Sequence, residues 1–243
     1  MTNEVNIQDV VMHGAGNRFL LHFGSTDPMS LMKSHEHLDG VLTLSESSGA
    51  DVLMDICNKD GSIAQQCGNG LRCVALHFVR SRLVEGNQVR IETLAGTSEC
   101  VVDLSRNEVS VLLPKPIEGK EHCSVTGDAP DCDYVNLGNP NAVLWVDENP
   151  MEIRAALGEQ LSEHASFQEG MNVHFARRDD EHHATIASWE RGVGPTLASG
   201  TGGAAVFVTS GAQALRVSSQ GGTLFYKYDD DGAIVMTGPA NYE

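Results

Sequence analysis

The fold of this chain is decided by the stretch QCGNGLRC at residues 66–73. It places the thiol of Cys67 on a glycine-rich turn, directly before apolar residues that recur with the spacing of one helix face. At a helix N-terminus, unpaired backbone N–H groups and the helix dipole favour a thiolate and can hold a carboxylate. The turn therefore offers a base and an anion site; the alternative is a small buried cysteine in a tight loop.

A second copy of this pattern lies in the other half of the chain. Ser199 begins the stretch SGTGG, and an apolar run over residues 204–208 follows it. The order of strands and turns around the two stretches is also similar, which predicts an internal duplication rather than a chance match of glycine-rich turns. We expect an α/β (α+β) fold of two pseudo-symmetric halves, each a β-rich sheet wrapped around a central helix. The halves would be residues 1–115 and 116–243, joined at the proline-rich segment 114–116, and facing helix N-termini would bury a ligand between them.

The remaining elements follow from hydrophobic periodicity and turn residues. Helices are expected over about residues 70–83, 151–164 and 200–215, whereas the polar segment 25–37 is expected to be a loop. Strands are expected over residues 10–23 (with a turn at 13–17), 39–44, 51–57, 89–93, 99–104, 108–113, 142–146, 171–176, 184–189, 223–228 and 233–237.

Composition narrows the classes of function. The chain has 243 residues and a net charge of −17, which argues against nucleic acids and anionic membrane surfaces as partners. There is no basic segment followed by an apolar one at the start, and no apolar run approaches the roughly 18 residues of a membrane-spanning helix. Six cysteines without close regular spacing do not predict a disulfide scaffold, although a Cys57–Cys67 or Cys67–Cys73 bridge stays open in an oxidised sample. We expect a protein of the reducing cytoplasm and leave a homodimer open.

Other kinds of site are less well supported by the residues. The histidines at 35, 37, 182 and 183 lack partners at the usual ligand spacing, so we expect solvated loops and no metal. The stretch GTGG at residues 200–203 does not follow a βαβ pattern, which argues against a dinucleotide site.

Two small groups, one on each half, could flank a single carbon atom. Removing the proton from a carbon next to a carboxylate requires a positioned base and dipoles that stabilise the developing charge. A base on one face and an acid on the other would invert that carbon without a cofactor. We therefore expect a small-molecule amino acid as substrate and no cofactor. Glu190 and Arg191 could bind its ammonium and carboxylate groups, or could form only a surface ion pair.

Together these motifs closely resemble those of the diaminopimelate epimerase family. The first signature corresponds to NKDGS at residues 58–62 with the Cys67 stretch, and the second to residues 190–202. The resemblance extends over nearly the whole chain, through HGAGN at 13–17, GNP at 138–140 and MTGPA at 236–240. It implies two pseudo-symmetric α/β halves, a cofactor-free two-base mechanism, and conversion of LL- to meso-diaminopimelate in lysine and cell-wall synthesis.

The resemblance also implies roles for individual residues. Cys67 would be one catalytic residue, and Ser199 occupies the position of the other. The reacting carboxylate would be bound by the backbone amides of Gly68, Asn69, Gly200 and Thr201. The rest of the substrate would be held by Asn17, Asn58, Asn139, Asn172, Glu190 and Arg191.

Four positions depart from the family pattern. Ser199 stands where the family has its second catalytic cysteine, and Pro195, Asn141 and Arg18 stand where it usually has glutamate, histidine and aspartate. A hydroxyl is a far poorer base than a thiol, and the missing histidine removes an obvious activator. Three of the four departures lie in the second half. A single engineered Cys→Ser change would leave Pro195 and Asn141 unexplained, so we interpret the chain as a natural divergent sequence.

Three interpretations follow from these departures. The chain could be a working epimerase or racemase in which Cys67 and either Ser199 or water act on opposite faces of the carbon. It could be a one-base enzyme that exchanges or eliminates on one face of another amino acid. It could also be a binding protein that keeps the amino-acid site. We favour the first, and the retained asparagines, Glu190 and Arg191 favour a diaminopimelate-like substrate in all three.

Overall fold

A computed structural model describes residues 9–35, 37–113, 115–117, 121–123, 130–167 and 170–243. Glu36, in one expected histidine loop, and Pro114, in the expected linker, lie outside this part. The helices are α1 Pro28–Ser34, α2 Gly68–Arg80, α3 Pro150–Ser162 and α4 Gly200–Ser210. The strands are β1 Val10–Gly14, β2 Asn17–Phe23, β3 Gly40–Ser45, β4 Val52–Asn58, β5 Ile63–Ala64, β6 Gln88–Thr93, β7 Gly96–Asp103, β8 Glu108–Leu113, β9 Glu121–Cys123, β10 Cys132–Asn136, β11 Pro140–Trp145, β12 Asn172–Arg178, β13 His183–Glu190, β14 Gly194–Thr196, β15 Ala214–Ser219, β16 Gly222–Tyr228, β17 Ile234–Pro239 and β18 Asn241–Tyr242.

The chain divides into two compact units. One is Met1–Val111 together with Pro239–Glu243, and the other is Leu112–Gly238. The division at residue 115 that the sequence suggests stays a prediction. None of the helices in the described ranges is both long and apolar enough to cross a membrane.

The first unit is a series of strands around the buried helix α2. Strands β1 and β2 form an antiparallel hairpin, and the chain passes through α1 into β3, which is parallel to β2. Strand β4 is antiparallel to β3 and to the short β5, and α2 connects β4 to the parallel strand β6. Strands β7 and β8 complete an antiparallel meander, and β18 pairs with β1.

The second unit repeats this order of pairings. Strands β10 and β11 form an antiparallel hairpin, extended by β9, and α3 connects β11 to the parallel strand β12. Strand β13 is antiparallel to β12 and to the short β14, and α4 connects β13 to the parallel strand β15. Strands β16 and β17 complete the meander. This correspondence confirms the expected α/β fold with two pseudo-symmetric halves.

Helix α2 is more deeply buried than the sequence indicated. Periodicity predicted one apolar face, but every residue from Asn69 to Val79 is buried, including Arg72 and His77. The cause is that β1, β6 and β7 all pack against this helix. A helix enclosed in this way can hold its N-terminus, and therefore Cys67, in one position.

The polar segment expected to be a loop contains a helix, so that prediction is wrong. The carboxylate of Asp27 accepts hydrogen bonds from the backbone N–H groups of Met29 and Ser30, and Pro28 takes the first helical position. Both features are strong helix-start signals. They occur again before α3, where Asn149 caps and a proline follows.

Helix α4 is shorter than predicted. It ends at Ser210 because Gly211 adopts a left-handed conformation with φ of 73°, which is a common way for a helix to stop. Residues 214–219 then form β15. The expectation of a helix to residue 215 missed this glycine.

Candidate functional site

Cys67 occupies the N-cap of α2. Its backbone is extended (φ −143°, ψ 106°), and its sulfur accepts a hydrogen bond from the Gly70 N–H at 3.4 Å. The side chain is only partly buried, so its sulfur can meet a ligand. Gly68 and Asn69 begin the helix, where backbone N–H groups lack partners within the helix. The geometry therefore suits a base beside an anion site.

A buried arginine holds this turn in place. Arg72 is 0% exposed, and its guanidinium donates to the Gly68 carbonyl at 3.2 Å and to the Asn69 side-chain oxygen at 2.7 Å. A further hydrogen bond goes to the Pro239 carbonyl at 3.3 Å. A buried cation is costly unless its donors are used, so these contacts hold the first turn of α2 rigidly. Sequence analysis assigned Arg72 no role, although a charged residue on an apolar helix face was a usable signal.

The second thiol of the stretch is unsuited to chemistry at neutral pH. Burial raises the pKa of Cys73 to about 12, and the nearby Arg72 only partly opposes this. Such a thiol stays protonated at neutral pH. Cys57, Cys67 and Cys73 are thiols and not disulfides in this structure, so neither bridge left open by the sequence is present.

Two asparagines with expected substrate contacts lie at the ends of strands in the first unit. Asn17 starts β2 and pairs with Gly14, whose added Cβ would lie only 3.0 Å from the carbonyl oxygen of Asn69. The β1–β2 turn therefore packs closely on the first turn of α2. Asn58 ends β4, and its side-chain amide donates to the Ser62 hydroxyl at 3.0 Å.

Ser199 occupies the matching position at α4. Its backbone is likewise extended (φ −124°, ψ 117°), and its hydroxyl oxygen accepts from the Gly202 N–H at 3.1 Å. The hydroxyl also donates to the carboxylate of Glu190, at the end of β13. Burial raises the pKa of Glu190, and the hydrogen bond from Ser199 opposes that shift. A proton acceptor thus lies directly beside the hydroxyl.

Asn172 supports the segment that carries Arg191. Its side-chain oxygen accepts from the Arg191 backbone N–H at 3.0 Å, and its amide donates to the Pro140 carbonyl at 2.8 Å. The Asn172 side chain is buried, whereas Arg191 is exposed. In this structure Asn172 therefore orients the backbone from which Arg191 extends.

A buried hydrogen-bond network lies beside the first turn of α4. The Asn139 amide donates to the Thr201 hydroxyl at 3.2 Å, and the Asn141 amide donates to the Asn139 side-chain oxygen at 3.0 Å. Nε2 of His174 lies 3.1 Å from the Asn141 side-chain oxygen, and Nδ1 lies 2.9 Å from the Ser188 hydroxyl. Sequence analysis missed His174; its signal was a polar residue inside the apolar run of β12, residues 173–176.

Apart from Ser199 itself, only one of the departures from the family pattern is buried. Arg18 lies on the surface, where its side chain pairs with Glu243 at 2.7 Å, and Pro195 is exposed in β14. Asn141 is 0% exposed. Asn141 is therefore the departure that changes the buried hydrogen bonding.

The described residues offer no evident metal centre. Within the ranges that the structure covers, no three His, Cys, Asp or Glu side chains are grouped so that they could hold a metal ion. The fully buried His174 uses both ring nitrogens in hydrogen bonds. The expectation that Cys67 and Ser199 act on one shared carbon stays a prediction.

Solved structures share this fold at low sequence identity. A phenazine biosynthesis PhzC/PhzF protein of Clostridium difficile superimposes with a TM-score of 0.73 at 12% identity, covering 97% of this chain and 96% of its own. A hydroxyproline epimerase of Agrobacterium vitis superimposes with a TM-score of 0.68 at 16% identity, covering 97% and 88%. At these identities the similarity shows the fold alone.

Similarity in sequence is more specific. Residues 29–116 and 133–243 match the family model described as diaminopimelate epimerase. The diaminopimelate epimerase of Desulfitobacterium hafniense is 32% identical over 96% of this chain and 95% of its own length. That of Desulforudis audaxviator is 35% identical over 94% of each. The chain therefore belongs to the diaminopimelate epimerase family, and it is an isomerase of the pyridoxal-phosphate-independent epimerase class.

Proposed function

We propose that this protein interconverts LL- and meso-diaminopimelate, as a step of lysine and peptidoglycan synthesis in the cytoplasm. One observation supports this most strongly. Cys67 and Ser199 cap their helices with similar extended backbones, and each side chain accepts a hydrogen bond from the backbone N–H three residues further along the chain. A thiol and a carboxylate-bound hydroxyl in equivalent positions suit proton transfer on two faces of one carbon.

The first step assigns Cys67 as base. Its thiolate removes the α-proton, so the C–H bond breaks, an S–H bond forms and the electron pair stays on the α-carbon and its carboxylate. The backbone amides of Gly68, Asn69, Gly200 and Thr201 would bind that carboxylate. Dipoles that are already oriented toward developing charge stabilise such a carbanion without reorganisation.

The second step assigns Ser199 as acid on the opposite face. Its hydroxyl proton passes to the carbon, and protonated Glu190 returns a proton to the serine oxygen. In the reverse direction the serine oxygen takes the α-proton while its own proton moves to ionised Glu190. Burial raises the pKa of Glu190 toward the neutral range, which is the direction that favours a relay, because proton transfer is most efficient when the pKa approaches the working pH.

Six residues would hold the rest of the substrate in this proposal. Arg191 is exposed on a backbone segment that Asn172 orients. A guanidinium can bind a carboxylate through two parallel hydrogen bonds. Glu190 would serve both the relay and the substrate ammonium group. The distal amino-acid end would fall to Arg191 and the asparagines at 17, 58, 139 and 172.

The test is proton exchange with solvent. The protein is incubated with LL- and with meso-diaminopimelate in deuterated water, and α-deuterium and stereochemistry are followed by NMR. We expect both deuterium incorporation and interconversion, lost in Cys67→Ala and kept in Cys73→Ala, whose thiol is buried and protonated. Absence of both in the wild-type protein would exclude the proposal.

A one-base enzyme is the second candidate, because Ser199 carries a hydroxyl where Cys67 carries a thiol. This candidate predicts deuterium incorporation without inversion. Saturable binding with unchanged α-hydrogens would instead favour a binding protein. The same NMR spectra therefore separate all three interpretations.

A further inference from the structure

The Ser199 half contains a buried imidazole that the proposed mechanism does not use. His174 is 0% exposed, and its ring contacts Ser188 on β13, Asn141 on β11 and Gly202 on α4. A Cβ added to Gly202 would lie only 2.3 Å from Cε1 of His174. The ring therefore packs directly against the first turn of α4, three residues beyond Ser199.

The hydrogen bonds allow only one tautomer of this ring. The Asn141 amide nitrogen lies near three oxygens, the Val135 carbonyl at 3.4 Å and the Asn139 carbonyl and side-chain oxygens at 2.8 and 3.0 Å. A flipped amide would place oxygen against all three, so the Asn141 oxygen must face His174 and accept. Nε2 of His174 therefore carries the proton, and Nδ1 accepts from the Ser188 hydroxyl.

The ring is also neutral. Its hydrogen-bond partners are the uncharged Ser188 hydroxyl and the uncharged Asn141 amide, and the ring packs against the backbone of Gly202. Burial lowers the pKa of His174 to about 3, which agrees with those surroundings. An imidazole in this state can donate a hydrogen bond but takes up no proton near neutral pH.

The donors then run in one direction from Ser188 to the start of α4. Ser188 donates to His174, His174 to Asn141, Asn141 to Asn139, and Asn139 to the Thr201 hydroxyl. Each amide in this series has a single allowed orientation. In the proposed function the Asn139 side chain holds the distal end of the substrate, and the backbone amide of Thr201 binds the reacting carboxylate.

We propose that His174 is a positioning residue which, as a neutral Nε2–H donor, orients Asn141 and through it Asn139 and Thr201 for binding the substrate. This inference rests on the proposed function. It also explains the buried departure at position 141, because an imidazole on the neighbouring strand β12 reaches the same network. The proposal adds a residue to the site without giving it a proton-transfer step.

The kinetic test compares two variants of similar size. His174→Gln keeps an amide donor toward Asn141, whereas His174→Leu fills the space without one. We expect kcat/KM for diaminopimelate to fall roughly 10- to 100-fold in His174→Leu, as for misplaced binding groups, and to be largely restored in His174→Gln. Thermal melts confirm that both are folded. If both variants lose the same amount of melting temperature but keep the kcat/KM of the wild-type protein, the role of His174 is purely structural and the proposal is overturned.

Two measurements do not depend on turnover. Nitrogen-15 NMR of histidine-labelled protein, with His174 assigned by its absence in His174→Gln, should show the Nε2–H tautomer down to pH 5. Calorimetry should show weaker diaminopimelate binding by His174→Leu than by wild type. If the wild-type protein binds diaminopimelate but does not turn it over, the proposed function fails. The ratio of the dissociation constants of His174→Leu and wild type still shows whether His174 positions the binding groups. An Nδ1–H tautomer, titration above pH 5, or unchanged binding and kcat/KM in folded His174→Leu would overturn the inference.

Discussion

The turns at Cys67 and Ser199 share a backbone geometry but differ in what lies beside them. Cys67 is partly exposed, and the buried guanidinium of Arg72 donates hydrogen bonds to the first turn of its helix. Ser199 is buried and donates to the Glu190 carboxylate, while the neutral ring of His174 packs against its helix.

The difference follows from the acidity of the two side chains. A thiol can ionise near neutral pH, so a cation and a helix N-terminus help it by stabilising the thiolate. A hydroxyl cannot ionise in that range, so it needs a neighbouring group that takes and returns its proton. The carboxylate of Glu190 lies beside the hydroxyl of Ser199, and the guanidinium of Arg72 donates to the first turn of the helix that Cys67 caps.

The largest expected effect comes from removing the thiol. In Cys67→Ser a hydroxyl, which does not ionise near neutral pH, would replace the thiol, so it would be a poor base. We expect α-hydrogen exchange on diaminopimelate to fall by about 10²- to 10⁴-fold, the usual worth of a positioned base. Deuterium exchange measured against Cys73→Ala checks this, and exchange within a few-fold of wild type would refute the assigned base.

The two first turns should respond differently to an added methyl group. In Gly202→Ala the new Cβ would lie 2.3 Å from the enclosed His174 ring, whereas in Gly70→Ala it would lie 3.2 Å from the tips of Leu42. We expect Gly202→Ala to lower the free energy of unfolding by about 2–3 kcal/mol, and Gly70→Ala to change it by less than about 1 kcal/mol. Urea denaturation measures both.

A double variant sharpens this prediction. If the ring of His174 causes the clash, Gly202→Ala should cost much less in a His174→Ala background, because neighbouring substitutions are not additive. Equal costs in the two backgrounds would place the strain elsewhere.

Local signals in the sequence predicted the helix starts, but not what packs beside them. The glycine-rich stretches place Cys67 and Ser199 at helix starts because capping depends on a few adjacent residues. The same capping signal is present at Asp27 before α1. The sequence analysis overlooked it because it considered only the polar composition of the segment. The contact between His174 and Asn141 could not be predicted, because it depends on the parallel register of β11 and β12, which pairs Asn141 with Asn172.

Acid should test the buried imidazole. The pKa of His174 is about 3 in the fold and near 6.5 when unfolded, so the unfolded chain takes up the proton first as the pH falls. Stability is thus lost below pH 6.5, by about 2 kcal/mol at pH 5. His174→Gln lacks this loss, and its unfolding free energy should therefore fall less than that of wild type between pH 7 and 5. Parallel curves for the two proteins would contradict a neutral, buried ring.

Restoring a thiol in the second half should make the two turns more alike. We expect Ser199→Cys to raise the rate of diaminopimelate inversion on the order of tenfold, since a thiol transfers protons more readily than a hydroxyl. The gain is limited because the nearby Glu190 disfavours a thiolate. Chiral chromatography of the products measures inversion, and a rate below that of wild type would show that Glu190 and Ser199 work as a matched pair.

The smallest expected effect concerns that carboxylate. Burial raises the pKa of Glu190 above its ordinary value of 4.5, so the unfolded chain ionises first as the pH rises, and the fold loses stability from pH 4.5 up to the raised pKa. Glu190→Gln has no such loss, so its stability relative to wild type should rise over that window. Glu159→Gln, at an exposed site on α3, is the control for the loss of one carboxylate. If Glu190→Gln instead loses stability relative to wild type over that window, the Ser199 hydrogen bond outweighs burial in its effect on the pKa of Glu190. Glu190 is then a fixed acceptor of the serine proton rather than a relay.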